Sequence, residues 1–160
     1  MGVLTESFLT FPVSTHDVQE DAAMRTNYPA VIVCAIAYWL LGGLWFDKLF
    51  SQQWMALEHM SEAQANSANP HWIWPFILTF LLNLLIAFAL AQICIWRNAN
   101  TAARGAAIGI LLWLGIVGPI VYTTYMYEMR PMQLFAINEF YPLVGLCLMG
   151  AILGAWKKTA

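Results

Sequence analysis

IWPFILTFLLNLLIAFALAQICIW, residues Ile73 to Trp96, is the stretch on which the fold turns. It contains no charged side chain, and as a helix an apolar run of this length crosses about 30 Å of hydrocarbon. Pro75 sits in its first turn, where a missing N–H costs little. Trp72, Trp74 and Trp96 mark its two ends, as interfacial tryptophans do.

Working outward, three more apolar runs of similar length appear. PAVIVCAIAYWLLGGLWF gives a first span at about residues 29–46, reaching toward Phe50, with Asn27 or Tyr28 as its cap and Pro29 in its first turn. A third span is expected at about 105–127 and a fourth at about 134–156. Pro119 cannot donate to the Gly115 carbonyl, which predicts a kink there. Pro142 frees the Asn138 carbonyl, which predicts a bent first turn in the fourth span. Between spans one and two, DKLFSQQWMALEHM places Phe50, Trp54 and Leu57 at helical spacing, the pattern of a short interfacial amphipathic helix. The expected fold is an all-α integral membrane protein, a four-helix transmembrane bundle carrying that short helix. Residues 1–26 read as a poorly ordered cytoplasmic tail and 157–160 as a basic C-terminal end.

Composition agrees with this reading and excludes other classes. The 160 residues are 61% hydrophobic and 10% charged, where a soluble domain carries about a quarter charged residues. A net charge of −2 gives no basis for nucleic-acid binding. The first 28 residues contain Glu6, Asp17, Glu20 and Asp21 and lack the basic-then-apolar order of a signal peptide. Met24 offers an alternative start, because MRTNYPAV leads directly into the first span. Cys34, Cys94 and Cys147 all fall in apolar segments, at spacings that match no metal or redox motif.

Orientation follows from the basic residues. Arg25, Arg97, Arg104, Lys157 and Lys158 fall on one side of a four-span chain, and only Lys48 and Arg130 on the other. The positive-inside rule then places both termini in the cytoplasm, in the expected setting of a bacterial inner membrane.

Two stretches carry a family resemblance. LLGGLWFDKLFSQQWM (Leu40 to Met55) resembles the opening motif of small four-helix membrane proteins catalogued as domain of unknown function 1761. That motif runs from a glycine-rich helix end into tryptophan plus an aromatic, then a second tryptophan. YEMRPMQLFAINEFYPLVGLCLMGAILGAW (Tyr127 to Trp156) is similar to the closing motif, where an acidic residue and Arg-Pro precede Leu-Phe, an Asn or Asp, and a glycine-bearing helix. The resemblance covers roughly Asn27 to Trp156. It implies a four-helix membrane domain with no assigned activity.

Few residues suggest chemistry. Asn83, mid-span, either hydrogen-bonds a neighbouring helix, worth about 0.6 kcal/mol, or lines a polar path. Asp47, Glu128, Arg130, Asn138 and Glu139 gather at the turn between spans three and four and the end of span one. They are expected at the membrane edge, with Arg130 paired to Asp47 or Glu139. No histidine falls within a span, which argues against a bis-histidine haem. His59, Glu62 and His71 read as solvated loop residues rather than metal ligands. No phosphate loop, dinucleotide fingerprint or nucleophile elbow is present. No charged residue is expected in the hydrocarbon centre, so a carboxylate relay is not.

Gly42 and Gly43, Gly105 and Gly109, and Gly150 and Gly154 form small-residue faces suited to close helix packing. They suggest a non-catalytic scaffold or accessory subunit that packs on itself or in a larger membrane complex. The alternatives are a channel or carrier for a small neutral solute, using Asn83, and a lipid-headgroup enzyme using Glu128, Arg130 and Asn138. No cofactor or metal is expected. Membrane lipids are the expected surroundings, and a bound lipid is compatible with them.

Overall fold

A computed structural model describes residues 26–61, 63–64 and 73–156. The tail before Thr26, Glu62, His71, Trp72 and the basic end at 157–160 lie outside the described residues, and so do the expectations placed on them. The described residues are helical, without strands. Four helices are long and apolar enough to cross a membrane: Tyr28–Leu49, Ile73–Trp96, Ala102–Tyr127 and Met132–Ala155.

Local chemistry sets the boundaries. Helix α1 (Tyr28–Gly43) begins where Asn27 Oδ1 accepts the Ala30 N–H at 3.3 Å. It then widens into a π turn, Leu44–Leu49, where the Phe50 N–H reaches the Trp45 carbonyl at 3.0 Å. Helix α2 (Ser51–Leu57) follows. The second span, α3 (Ile73–Trp96), ends in a left-handed residue, Asn98 (φ 50°), which lets the Ala99 N–H bond the Cys94 carbonyl at 2.8 Å. This closure satisfies carbonyls the helix end would otherwise orphan.

The third span starts earlier than its hydropathy suggests. Thr101 accepts the Arg104 N–H at 3.2 Å and caps α4 (Ala102–Leu112). The irregularity expected at Pro119 takes the form of a π turn one step before it, Trp113–Val117, with the Gly118 N–H bonded to the Trp113 carbonyl. Widening the helix accommodates a proline that has no N–H to give. Helix α5 (Gly118–Tyr127) completes the span. The fourth span, α6 (Met132–Ala155), is one continuous helix with Pro142 inside it.

Hydrogen bonds fix which helix ends share a side. Asn27 Nδ2 donates to the Trp156 carbonyl at 3.1 Å, and Gln92 Nε2 to Thr26 Oγ1 at 2.9 Å. The start of span one and the ends of spans two and four therefore meet at one end of the bundle. Arg130 marks the other end.

The fourth span is the hub, packing on the other three, most extensively on α4. A Cβ at Gly105 would enter the Gly150 backbone, one at Gly109 the Leu146 carbonyl, and one at Gly154 the Thr101 carbonyl. The two helices touch backbone to backbone, which only glycine permits. Cys34, Ala87, Leu90 and Met149 fill the centre of the bundle. Between 17% and 33% of each span's central window is buried, and the remaining apolar surface faces outward, as lipid-facing helices do.

Candidate polar centre at the Arg130 end

The turn after α5 is anchored by a left-handed Met129 (φ 53°), with the Arg130 N–H on the Tyr125 carbonyl at 3.0 Å. This aims Arg130 back over the bundle, its guanidinium 5.0 Å from the centre of the Tyr125 ring. Arg130 Nη2 donates to both carboxylate oxygens of Glu58, at 2.7 and 2.8 Å. The ion pair expected with Asp47 or Glu139 is thus made with Glu58 instead. Glu58 is the C-cap of α2, and that short helix is held against the α5–α6 turn. Asp47 and Glu128 are exposed.

Beneath the ion pair, Asn138 Nδ2 donates to the Tyr125 hydroxyl at 2.7 Å, and Asn138 Oδ1 accepts the Trp54 indole N–H at 3.0 Å. An indole is only a donor, so it fixes which way the amide points. Trp45, in the π turn, donates to the Ile137 carbonyl at 2.8 Å. One turn further in, the Tyr38 and Tyr141 rings stack at 4.7 Å, and Tyr141 donates its hydroxyl proton to the Tyr38 carbonyl at 3.1 Å. Gly42 makes room for this contact, since a Cβ there would lie 3.0 Å from the Tyr141 hydroxyl. Phe46 meets the Tyr141 ring and Trp54 the Phe46 ring, so the aromatic side chains of the α1–α2 corner face α6.

Glu139 is turned inward, toward the bundle, rather than outward from it. It is 7% exposed, enclosed by the bundle, and its Oε2 has no hydrogen-bond partner. At 1.5 Å per residue it lies about 10 Å along α6, inside the length needed to cross hydrocarbon. Seven residues into the 24-residue α6, Glu139 stays short of the helix midpoint, and what the structure adds is the inward turn of its side chain. Helical phase is the reason: Glu139 shares a face with Leu146 and Gly150, seven and eleven residues on, which pack against α4.

Two more buried polar atoms lack partners, Trp113 Nε1 on the third span and Asn83 Nδ2 on the second. The Trp113 ring stacks on Phe140 at 6.2 Å, which sets its indole at the level of Glu139. Asn83 is 4% exposed and about 15 Å along α3. Its Nδ2 makes no interhelical hydrogen bond. Buried polar atoms are mostly satisfied, so each of these three, found among the described residues, calls for a partner.

The glycines divide by role. Gly105, Gly109, Gly150 and Gly154 are occupied by the contact between α4 and α6, and Gly42 by Tyr141. Gly43 faces open space, as does Gly115. Gly43 instead lines a cavity of about 540 Å³ between spans one and two, bounded by Trp39, Phe46, Asp47, Phe76 and Tyr141. No group of three or more His, Cys, Asp or Glu side chains able to hold a metal occurs among the described residues.

The model of the family described as protein of unknown function (DUF1761) matches residues 29–154, more than three-quarters of the chain. The chain belongs to that family. No curated protein and no solved structure matches it. In this DUF1761 protein the matched region takes in both the glycine seam and the whole network from Trp45 to Tyr141. Its two tryptophan positions, Trp45 and Trp54, are the donors that tie the α1–α2 corner to α6.

Sequence reasoning missed Glu58, Trp45, Trp54, Tyr38 and Tyr141 as members of this centre. The two tryptophans of the opening motif were the available signal, because an indole N–H in an apolar setting needs an acceptor.

Proposed function

We propose that this protein is a membrane carrier or channel for a small polar solute, with an interior centre formed around Glu139. The carrying observation is Glu139 itself: a carboxyl group enclosed by the bundle, within a spanning helix, with an open oxygen. Ionisable groups in that position are costly, and they usually mark a solute, ion or proton path. Asn83 Nδ2 and Trp113 Nε1 are donors, and the open oxygen of Glu139 complements them. A solute moving through the bundle would meet both kinds of group. The π turns in spans one and three support the reading, since such turns recur at functional sites.

The competing readings have less behind them. A scaffold or accessory subunit was suggested by spare glycine faces, and five of those six glycines are occupied within the chain. The headgroup enzyme needs Glu128, Arg130 and Asn138 free, whereas Arg130 is held by Glu58 and Asn138 by Trp54 and Tyr125. Arg97 and Arg104 at the Trp156 end support an orientation with both termini in the cytoplasm.

The test is reconstitution into liposomes, with stopped-flow light scattering after challenge with glycerol, urea or acetate, and a trapped pH dye for protons. At least one permeant should cross faster than in protein-free vesicles, and Glu139→Gln and Asn83→Leu should slow it several-fold while circular dichroism stays helical. Equal rates with and without protein across the panel would overturn the proposal.

A further inference from the structure

A second site lies away from Glu139, on the flank where spans one and two diverge. The cavity there is about 540 Å³, within the size range of pockets that enclose small organic molecules. Its walls are aromatic: Trp39 meets Phe76 edge-on at 6.3 Å, and Phe46 meets Tyr141 edge-on at 5.3 Å. Among the described residues of the lining, Asp47 is the one carboxylate, and no lysine, arginine or histidine accompanies it. Its carboxylate makes no hydrogen bond or ion pair with any described residue.

The other polar groups of the lining are already engaged. The Thr79 hydroxyl donates to the Pro75 carbonyl at 2.7 Å, and the Tyr141 hydroxyl to the Tyr38 carbonyl at 3.1 Å. The cavity is therefore walled by aromatic rings with one carboxylate among them, and has little to offer an anion. Aromatic faces attract cations through their quadrupole, most strongly where water is excluded, and a nearby carboxylate adds direct attraction. Trp39 and Phe76 are themselves partly exposed, so the cavity opens sideways onto the apolar flank of the bundle. A ligand that partitions into a bilayer can enter from there.

We infer that this cavity binds a lipophilic organic cation, an ammonium or phosphonium centre carried on an apolar body, with Asp47 facing the charge and Trp39, Phe46 and Phe76 around it. Gly43 supplies the space: a Cβ there meets nothing within 4 Å, so the cavity extends to the backbone of the first span.

The experiment is equilibrium dialysis of tetraphenylphosphonium against the full chain in dodecyl maltoside. Tetraphenylborate, of the same shape and opposite charge, serves as counter-probe. Saturable binding of the phosphonium at one site per chain is expected, with the borate binding at least tenfold more weakly. Asp47→Asn should weaken phosphonium binding about tenfold. Gly43→Leu fills open space without touching backbone, and should abolish binding while leaving the helical circular dichroism intact. Glu139→Gln should leave binding unchanged, which separates this site from the carrier centre. Equal affinity for both ions, binding that survives both cavity variants, or no saturable binding in the full chain would each overturn the inference. The last result is also what a cavity filled by another segment of this chain would give.

Discussion

Trp54 and Asn138 lie 84 residues apart in sequence and are joined by a hydrogen bond of 3.0 Å, indole N–H to amide oxygen. Through it the short helix α2 is tied to the fourth span, and Asn138 is turned so that its amide N–H₂ meets Tyr125. Trp54→Phe keeps the ring and deletes the donor. It should cost about 0.6–1.5 kcal/mol, the range for such bonds in membrane proteins. A double-mutant cycle with Asn138→Ala, read by thermal unfolding in detergent, should return a coupling of that size. Additive losses would show that the bond contributes nothing.

The Arg130–Glu58 pair is partly exposed, so its contribution is discounted to about 0.5–1 kcal/mol. Glu58→Gln should lower thermal stability by that amount at low salt and by less at high salt, because screening weakens the native pair. Asp47→Asn should leave stability unchanged. A larger loss from Asp47→Asn than from Glu58→Gln would reverse the assignment of partners.

The glycine seam predicts sharp positional contrast. Gly150→Ala drives a methyl group into the Gly105 backbone, and the helices must separate. Overpacking of this kind costs about 1–3 kcal/mol. Gly43→Ala meets nothing and should be neutral. Thermal unfolding of the two variants side by side tests this. Equal behaviour would mean that α4 and α6 do not touch through their glycines.

Glu139 offers a separation of stability from activity. Replacing an unsatisfied buried polar group with an apolar one of similar size is neutral or stabilising. Glu139→Leu should therefore unfold at the same or a higher temperature, by up to about 2 kcal/mol in stability, while solute flux is lost. A strongly destabilised Glu139→Leu would instead identify the carboxyl as a structural partner.

Hydropathy made the four long apolar helices legible because an apolar run of that length, where it meets lipid, must satisfy its backbone polar groups internally as a helix. Asn27, Thr101 and Asn98 punctuate those helices through local hydrogen bonds, which depend only on neighbours in the chain. The Pro119 irregularity was legible in kind, since a missing N–H must be accommodated somewhere nearby, though as a widened turn before it. The resemblance in Leu40–Met55 and Tyr127–Trp156 led to the family for a similar reason: the motifs are dense in residues with narrow structural uses.

Helical phase was not legible. A soluble helix shows its buried face as an apolar stripe, but a membrane helix is apolar all round, so nothing in α6 marks Glu139 as inward-facing and Phe140 as outward. Partner choice was equally hidden. Arg130 had Asp47, Glu58 and Glu139 within the same broad region, and only the left-handed turn at Met129 and the placement of α2 bring Glu58 to it. The sequence by itself determined that this chain is four apolar helices joined by turns and that it belongs to its family. The tertiary structure alone decided which glycines meet, which acid is buried and where a cavity opens, because those depend on rotations and contacts between helices that are far apart along the chain.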